Sequence, residues 1–161
     1  MKVCIIGHTG CGDYGHSLDQ AFVGVEGAEI VALADPDEAG RTKAVGRTGA
    51  QKAYADYREM LSIEETDIAV LATHEMSSHL DMVLAAAEQG THVYVEKPLA
   101  RTPAEVDQML KACDRTGAMI VMAHPWRGRP EIQRTAIPMI RNGKIGEPRW
   151  ARMYGFGGEL G

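Results

Sequence analysis

Gly10-Cys11-Gly12-Asp13-Tyr14-Gly15 has the G-x-G-x-x-G spacing of a dinucleotide turn. Glycines at these places let the backbone fold tightly and approach a pyrophosphate, and a helix beginning there would aim unpaired N–H groups at the anion. Gly7 closes the preceding apolar run Val3-Cys4-Ile5-Ile6, so either Gly7 or Gly10 can open the phosphate loop. Whichever comes first, main-chain N–H groups between Thr9 and Gly15 are expected to face the anion. A plain strand–helix turn uses the same glycines, so the spacing by itself names no ligand. Asp35 follows about 20 residues later, where a dinucleotide fold places a carboxylate to accept from the adenosine ribose. Asp35 ahead of Pro36 and Glu38 is also a good helix N-cap, and both roles can hold together. Arg41 on that helix could meet a 2′-phosphate, so the residues lean to NAD and leave NADP open.

A second set of reactive side chains falls after later apolar runs. Lys97 ends the run His92 to Val95, and strand alternation puts it on the side of Val93 and Val95, opposite Glu96. A lysine so placed can donate to, or take a proton from, a substrate hydroxyl, although a surface lysine at a strand end has the same parity. Pro98 restricts Lys97 to extended backbone. His74, Glu75 and His79 look like a zinc-protease motif, but the histidines are five apart rather than four, which one helix face does not accommodate. Donation to a ligand, or capping of the next helix, fits this loop better than metal binding. Cys11 reads as a small filler in the glycine turn. Trp126 and Arg127 are placed to cover a nicotinamide or to close the end of the sheet.

These residues need elements to hold them. Leu18, Ala21, Phe22 and Val25 recur at one helix face's spacing after the glycine turn. Strands are expected at Glu29 to Ala34, Ala53-Tyr54, Ile68 to Ala72, His92 to Val95 and Ala118 to Ala123. Between them the pattern predicts helices at Pro36 to about Val45, Tyr57 to Leu61 and Ser78 to Gln89. A capping box, Thr102-Pro103-Ala104-Glu105, opens another helix with Val106, Met109, Leu110 and Cys113 on one face. A further helix, Glu131 to Arg141, contains Pro138, which should kink it. Pro148 to Phe156 reads as a strand. Such regular alternation means βαβ units, hence an α/β, doubly wound parallel sheet with its ligands at the strand C-terminal ends. Every polar loop named above lies at such an end.

Composition narrows the classes. The chain has 161 residues, enough for one domain with a proper core, and a net charge of −5. Residues 1–124 carry 19 carboxylates against 10 basic side chains, and residues 125–161 carry 3 against 7. An acidic body argues against nucleic acid as a partner. The basic tail suits an anionic ligand or a solvated face. No apolar run reaches the ~18 residues of a membrane span, and Met1-Lys2 leads straight into a strand, so neither membrane nor secretory leader is expected. Cys4, Cys11 and Cys113 are odd in number and lack a CxxC pair, which suggests a reducing cytoplasm.

Taken together, these stretches resemble the N-terminal domain of the Gfo/Idh/MocA oxidoreductases. The carriers are the glycine turn followed by His16, Ala34-Asp35-Pro36-Asp37, Tyr54-Ala55-Asp56-Tyr57, Leu71-Ala72-Thr73 with His79, the run Gly90 to Leu99, and Gly143-Lys144-Ile145-Gly146-Glu147-Pro148. Glu96-Lys97-Pro98 is the most specific. The resemblance implies a Rossmann fold, a nicotinamide cofactor, and hydride transfer on a sugar or polyol carbinol. It makes Lys97 catalytic, and puts Gly7, Thr9, Gly10, Gly12, Gly15, Asp35, Thr73, His79, Glu96, Lys97 and Arg127 around the cofactor. It implies domain bounds of 1–147, with 148–161 leading toward a second α/β domain that shapes the substrate pocket and builds a homo-oligomer. A glycine turn about three residues longer than usual departs from the family pattern, as does the absence of that second domain from these residues. Two other readings stay open: a dinucleotide-binding module without catalysis, and a subunit whose Pro148–Phe156 strand pairs with a partner.

Overall fold

The computed structural model describes residues 1–124, 129 and 131–152. Six strands form one parallel sheet: β1 (Lys2–Ile6), β2 (Glu29–Ala34), β3 (Lys52–Tyr54), β4 (Ile68–Leu71), β5 (His92–Val95) and β6 (Ile120–Met122). Their order is β3-β2-β1-β4-β5-β6. The order reverses beside β1, and such a switch point opens a crevice outside the strand C-termini. Along β1, Cys4 and Ile6 face one buried cluster while Val3 and Ile5 face another. A strand apolar on both sides must be covered on both sides, which is why the short apolar runs become central strands.

The helices are α1 (Glu38–Thr48), α2 (Tyr57–Ile63), α3 (His79–Glu88), α4 (Pro103–Thr116) and α5 (Ile137–Arg141). Met60, Leu61, Met82, Val83, Ala86, Met109 and Cys113 of α2, α3 and α4 pack on the Cys4 side of the sheet. Ala44 of α1, with Tyr14 and Leu18, packs on the Val3 side. Burying these apolar groups supplies most of the driving force, at about 25 cal/mol per Å². Two compact units divide the chain, Met1–Ala123 and His124–Gly161. No helix among the described residues is long and apolar enough to cross a membrane.

Several expectations need correction. The helix expected after the glycine turn is only a single 3-10 turn, Leu18–Gln20, followed by further turns. Ser17 enters it with φ 60° and no side-chain cap bond, and the bonds that follow run i→i+3, as from Val23 N–H to the Gln20 carbonyl. Gly24 and Gly27, at φ 74° and 78°, stop any continuation. No helix dipole of useful length therefore points at the turn. Asp37 rather than Asp35 caps α1, accepting from Gly40 N–H at 2.6 Å. The Asp35 carboxylate has other partners, described below, and also accepts from Asp37 N–H at 2.9 Å, which sets Asp37 at the cap.

Leu110 is 45% exposed, and the buried stripe of α4 runs through Met109, Ala112 and Cys113 instead. The capping box is half formed. Thr102 accepts from Glu105 N–H at 3.2 Å, but the Glu105 carboxylate turns to Arg101. Ile132–Ala136 winds as a π-helical turn before α5. Pro138 has no N–H to give the fourth carbonyl back, and the wider turn relieves that break. Pro148 to Arg152 form no strand, and Met153 to Phe156 lie outside the described residues. Cys11 is exposed and fills no cavity.

Three phenols are held protonated beyond their ordinary range, which gives a test of the packing. Burial and then the bond to Asp35 push Tyr14 up. The bond to Glu64 carries Tyr54 up to about 12, and burial raises Tyr57. Because the folded-state values are raised, this stabilisation is complete below about pH 10 and is lost as the unfolded chain ionises above it. Absorbance at 295 nm should show tyrosines that ionise late in the folded chain and together near pH 10 in guanidinium. Simultaneous ionisation near pH 10 in both states would contradict the packing.

Candidate cofactor site

The long glycine turn is a closed structure of its own. His8 and Asp13 form an antiparallel bridge across it, and Cys11 N–H donates to the His8 carbonyl at 3.0 Å. Gly10, Gly12 and Gly15 all have positive φ, so each expected glycine is needed for the path of the chain. Gly7 follows β1 directly, and Gly7 N–H donates to the Ala34 carbonyl at 2.9 Å. Its role is space: a Cβ there would lie 2.0 Å from the Tyr14 ring. Gly7 therefore takes the strand-end place, and Gly10 shapes the loop.

Asp35 is completely buried at the end of β2. Its Oδ2 accepts from the Tyr14 hydroxyl at 2.6 Å and from the Thr9 hydroxyl at 2.7 Å. Thr9 N–H adds a bond at 3.1 Å. Burial alone would raise this carboxyl, but the bonds from Tyr14, Thr9 and Asp37 outweigh it and hold the group below the usual carboxylate range. That depressed value stabilises the fold above about pH 4 and is lost as pH falls through it. Arg41 Nη1 donates to the Asp35 carbonyl at 2.5 Å, which ties the guanidinium to the end of β2.

Beside this pair lies a cavity of about 250 Å³, lined by Gly7, His8, Asp35, Pro36, Tyr57 and Arg58 among others. The Arg58 guanidinium stands 4.5 Å over the Tyr57 ring. His8, Pro36, Tyr57 and Arg58 were not among the sequence candidates. The signal available for Tyr57 and Arg58 was their place at the end of β3; nothing in the spacing singled out Tyr14 as the partner of Asp35.

Glu96 and Lys97 follow β5. Glu96 is buried, and its carboxylate accepts from Lys97 N–H at 2.9 Å and meets His16 Nδ1 at 3.1 Å. A Cβ on Gly15 would be 3.0 Å from the Glu96 side chain, so the last glycine of the turn makes room for it. The glycine turn and the Glu-Lys-Pro stretch, 80 residues apart, are thus in direct contact. Lys97 is half-buried and the Lys97–Pro98 peptide is cis.

Thr73 and His79 turn their side chains into the protein rather than toward the crevice. Thr73 is buried with its hydroxyl on Met82 Sδ at 3.9 Å. His79 is buried too, with Nε2 on the Thr73 carbonyl at 2.9 Å and Nδ1 on the Pro98 carbonyl at 3.1 Å and the Leu99 carbonyl at 3.2 Å. It offers no ring nitrogen to a ligand and instead ties the ends of β4 and β5 together. Glu75 caps the 3-10 turn Met76–Ser78, accepting from Ser77 N–H at 3.0 Å, and the His74 ring meets His16 edge-on at 5.5 Å. Arg127 lies outside the described residues.

A crevice at the switch point, a glycine strand end, a carboxylate after β2 and a cavity of nucleoside size define a nucleotide-binding Rossmann domain. The comparisons agree. The model of the oxidoreductase family with an NAD-binding Rossmann fold, Gfo/Idh/MocA, matches residues 1–124, and this chain belongs to that family. D-apiose dehydrogenase of Paraburkholderia graminis is 37% identical over 145 residues, covering 89% of this chain and 38% of that protein. Alpha-N-acetylgalactosaminidase of Shewanella oneidensis is 32% identical over 157 residues, covering 91% of this chain and 34% of that protein. An NAD binding oxidoreductase from Klebsiella pneumoniae superposes with a TM-score of 0.74 at 30% identity, over 92% of this chain and 40% of that one. An Agrobacterium radiobacter oxidoreductase solved with NAD+, L-tartaric acid and magnesium superposes at 0.80 and 24% identity, over 93% and 42%, and shows the shared fold. The chain spans between a third and two fifths of the curated relatives it matches.

Proposed function

We propose that these residues are the cofactor domain of an NAD-dependent oxidoreductase acting on a sugar or polyol carbinol, with residues 148–161 leading toward the rest of the protein. The observation that carries it is the contact of Gly15 and His16 with Glu96, which brings Lys97 to the dinucleotide turn. NAD, when bound, supplies the hydride acceptor or donor. Gly7 and the Asp35 carboxylate would hold the adenosine half, with Pro36, Tyr57 and Arg58 around the base. Glu96 fixes the Lys97 backbone, and the Lys97 ammonium holds or moves the proton of the substrate hydroxyl. His79 braces the loop on which Lys97 sits. The Asp35 carboxylate after β2 repels a 2′-phosphate, which supports NAD over NADP as the cofactor. The second domain would complete the substrate pocket and the oligomer.

Titration of the chain with NADH, followed by cofactor fluorescence, should give saturable binding, with NADPH markedly weaker. Absence of NADH binding would overturn the proposal, and tighter NADPH binding would reverse the cofactor preference.

A further inference from the structure

Two hydroxyl groups of the protein converge on one oxygen of Asp35. Thr9 Oγ1 donates to Oδ2 at 2.7 Å and Tyr14 Oη donates to the same atom at 2.6 Å. Asp37 N–H donates to Oδ1 at 2.9 Å, and Thr9 N–H is shared between Oδ1 at 3.2 Å and Oδ2 at 3.1 Å. The carboxylate is fully buried and its partners are complete. A vicinal ribose diol would present the same chemistry, two O–H donors to one carboxylate. Both hydroxyls come from the long glycine turn, which folds back over the carboxylate.

The same phenol covers a second part of the site. Its ring lies where a Gly7 Cβ would be, 2.0 Å away, at the strand end that a pyrophosphate would approach. Arg47 lies over the ring, its Cζ 4.3 Å from the centroid, and is held by Asp19 at 2.5 Å. Thr9 fits closely too, since a Cβ on Gly40 would be 1.9 Å from its hydroxyl oxygen. Tyr14 stands between Asp13 and Gly15, both in the left-handed region at φ 56° and 52°, with Gly10 and Gly12 on the turn before it. It is carried by a turn rather than a helix, so it can leave without unwinding one.

We propose that Thr9 and Tyr14 set cofactor affinity by occupying Asp35 in place of the adenosine ribose, and that binding exchanges the two protein hydroxyls for the ribose pair. The proposal rests on the dinucleotide reading above. Part of the binding free energy is spent breaking internal bonds to a charged acceptor. The hydroxyls also supply two of the hydrogen bonds that this buried charge requires.

The test compares the 161-residue chain with Tyr14→Phe and Thr9→Val. Titration with NADH is followed by displacement with ADP and with 2′,3′-dideoxy-ADP, and circular dichroism confirms the fold. Tyr14→Phe should bind NADH about tenfold tighter, and Thr9→Val should move the same way. The gain should appear with ADP and vanish with the dideoxy nucleotide, which has no diol to take the released bonds. Should Tyr14→Phe fail to fold, Thr9→Val alone decides. Unchanged or weaker NADH binding by the folded variants overturns the exchange, as does an equal gain for both nucleotides. NADH binding by none of the three proteins overturns the dinucleotide reading with it. Equal NADH binding by all three overturns the exchange alone.

Discussion

In the oxidoreductase proposed above, Lys97→Met lowers turnover by about 10²–10⁴-fold and leaves NAD affinity within tenfold of the parent, the range expected when one acid–base group is lost. The argument is positional. Lys97 follows β5, where the Glu96 carboxylate accepts from its N–H at 2.9 Å and is itself met by His16 from the glycine turn. The backbone that carries the side chain is therefore held by a buried carboxylate. Methionine keeps the length and most of the apolar stem but cannot hold or pass a proton. The adenosine contacts proposed for Gly7, Asp35 and the cavity by Tyr57 lie at β1 to β3, away from β5, so they should survive. Steady-state kinetics with sugar or polyol substrates, set beside NADH titration, separates the two effects. Unchanged turnover removes Lys97 from the chemistry. A parallel loss of NAD binding makes it a cofactor anchor instead.

His79→Leu destabilises the fold by about 3 kcal/mol, a Tm drop of roughly 10 °C for a chain of this size. Leucine fits the volume, so the loss is polar rather than a cavity. The ring nitrogens face the Thr73 carbonyl at 2.9 Å on one side and the Pro98 and Leu99 carbonyls at 3.1 and 3.2 Å on the other, and leucine removes the single N–H that a neutral imidazole gives to one of these sides. A buried acceptor without a donor costs about 1–3 kcal/mol. Thermal unfolding by circular dichroism measures the loss. In the complete enzyme the same variant should also lower kcat more than it raises KM for the cofactor, because the freed segment is the one after Lys97. A melting temperature within about 2 °C of the parent would remove His79 as a brace.

Much of the strand framework was legible because its signal is local. β2 and β5 fall where the apolar runs put them, whereas α1 runs past the expected end near Val45 to Thr48, where Gly49 stops it in the left-handed conformation. The segment after the glycine turn misled for an equally local reason. Leu18, Ala21, Phe22 and Val25 share a helical spacing, but Ala21 and Val25 are exposed and two glycines break the run. Leu110 shares a face with Met109 and Cys113 by spacing, yet α4 is rotated to bury Ala112 instead. Periodicity predicts a face, and packing against the sheet selects its centre.

The glycine turn marks the division most clearly. Residue types and spacing by themselves determined a parallel α/β sheet, glycines after β1, a carboxylate after β2 and a lysine after β5, because each follows from backbone freedom, strand burial or strand alternation over a few residues. Only the tertiary structure decided what those groups meet. It turned Thr73 and His79 inward, set Glu96 against Gly15 and His16, and placed Tyr14 on Gly7 with its hydroxyl on Asp35. The contacts of Tyr14 with Asp35 and of His16 with Glu96 join residues 21 and 80 positions apart. They depend on which strand ends the sheet order makes neighbours and on which side chains fill the space a missing Cβ leaves, and no local pattern carries either.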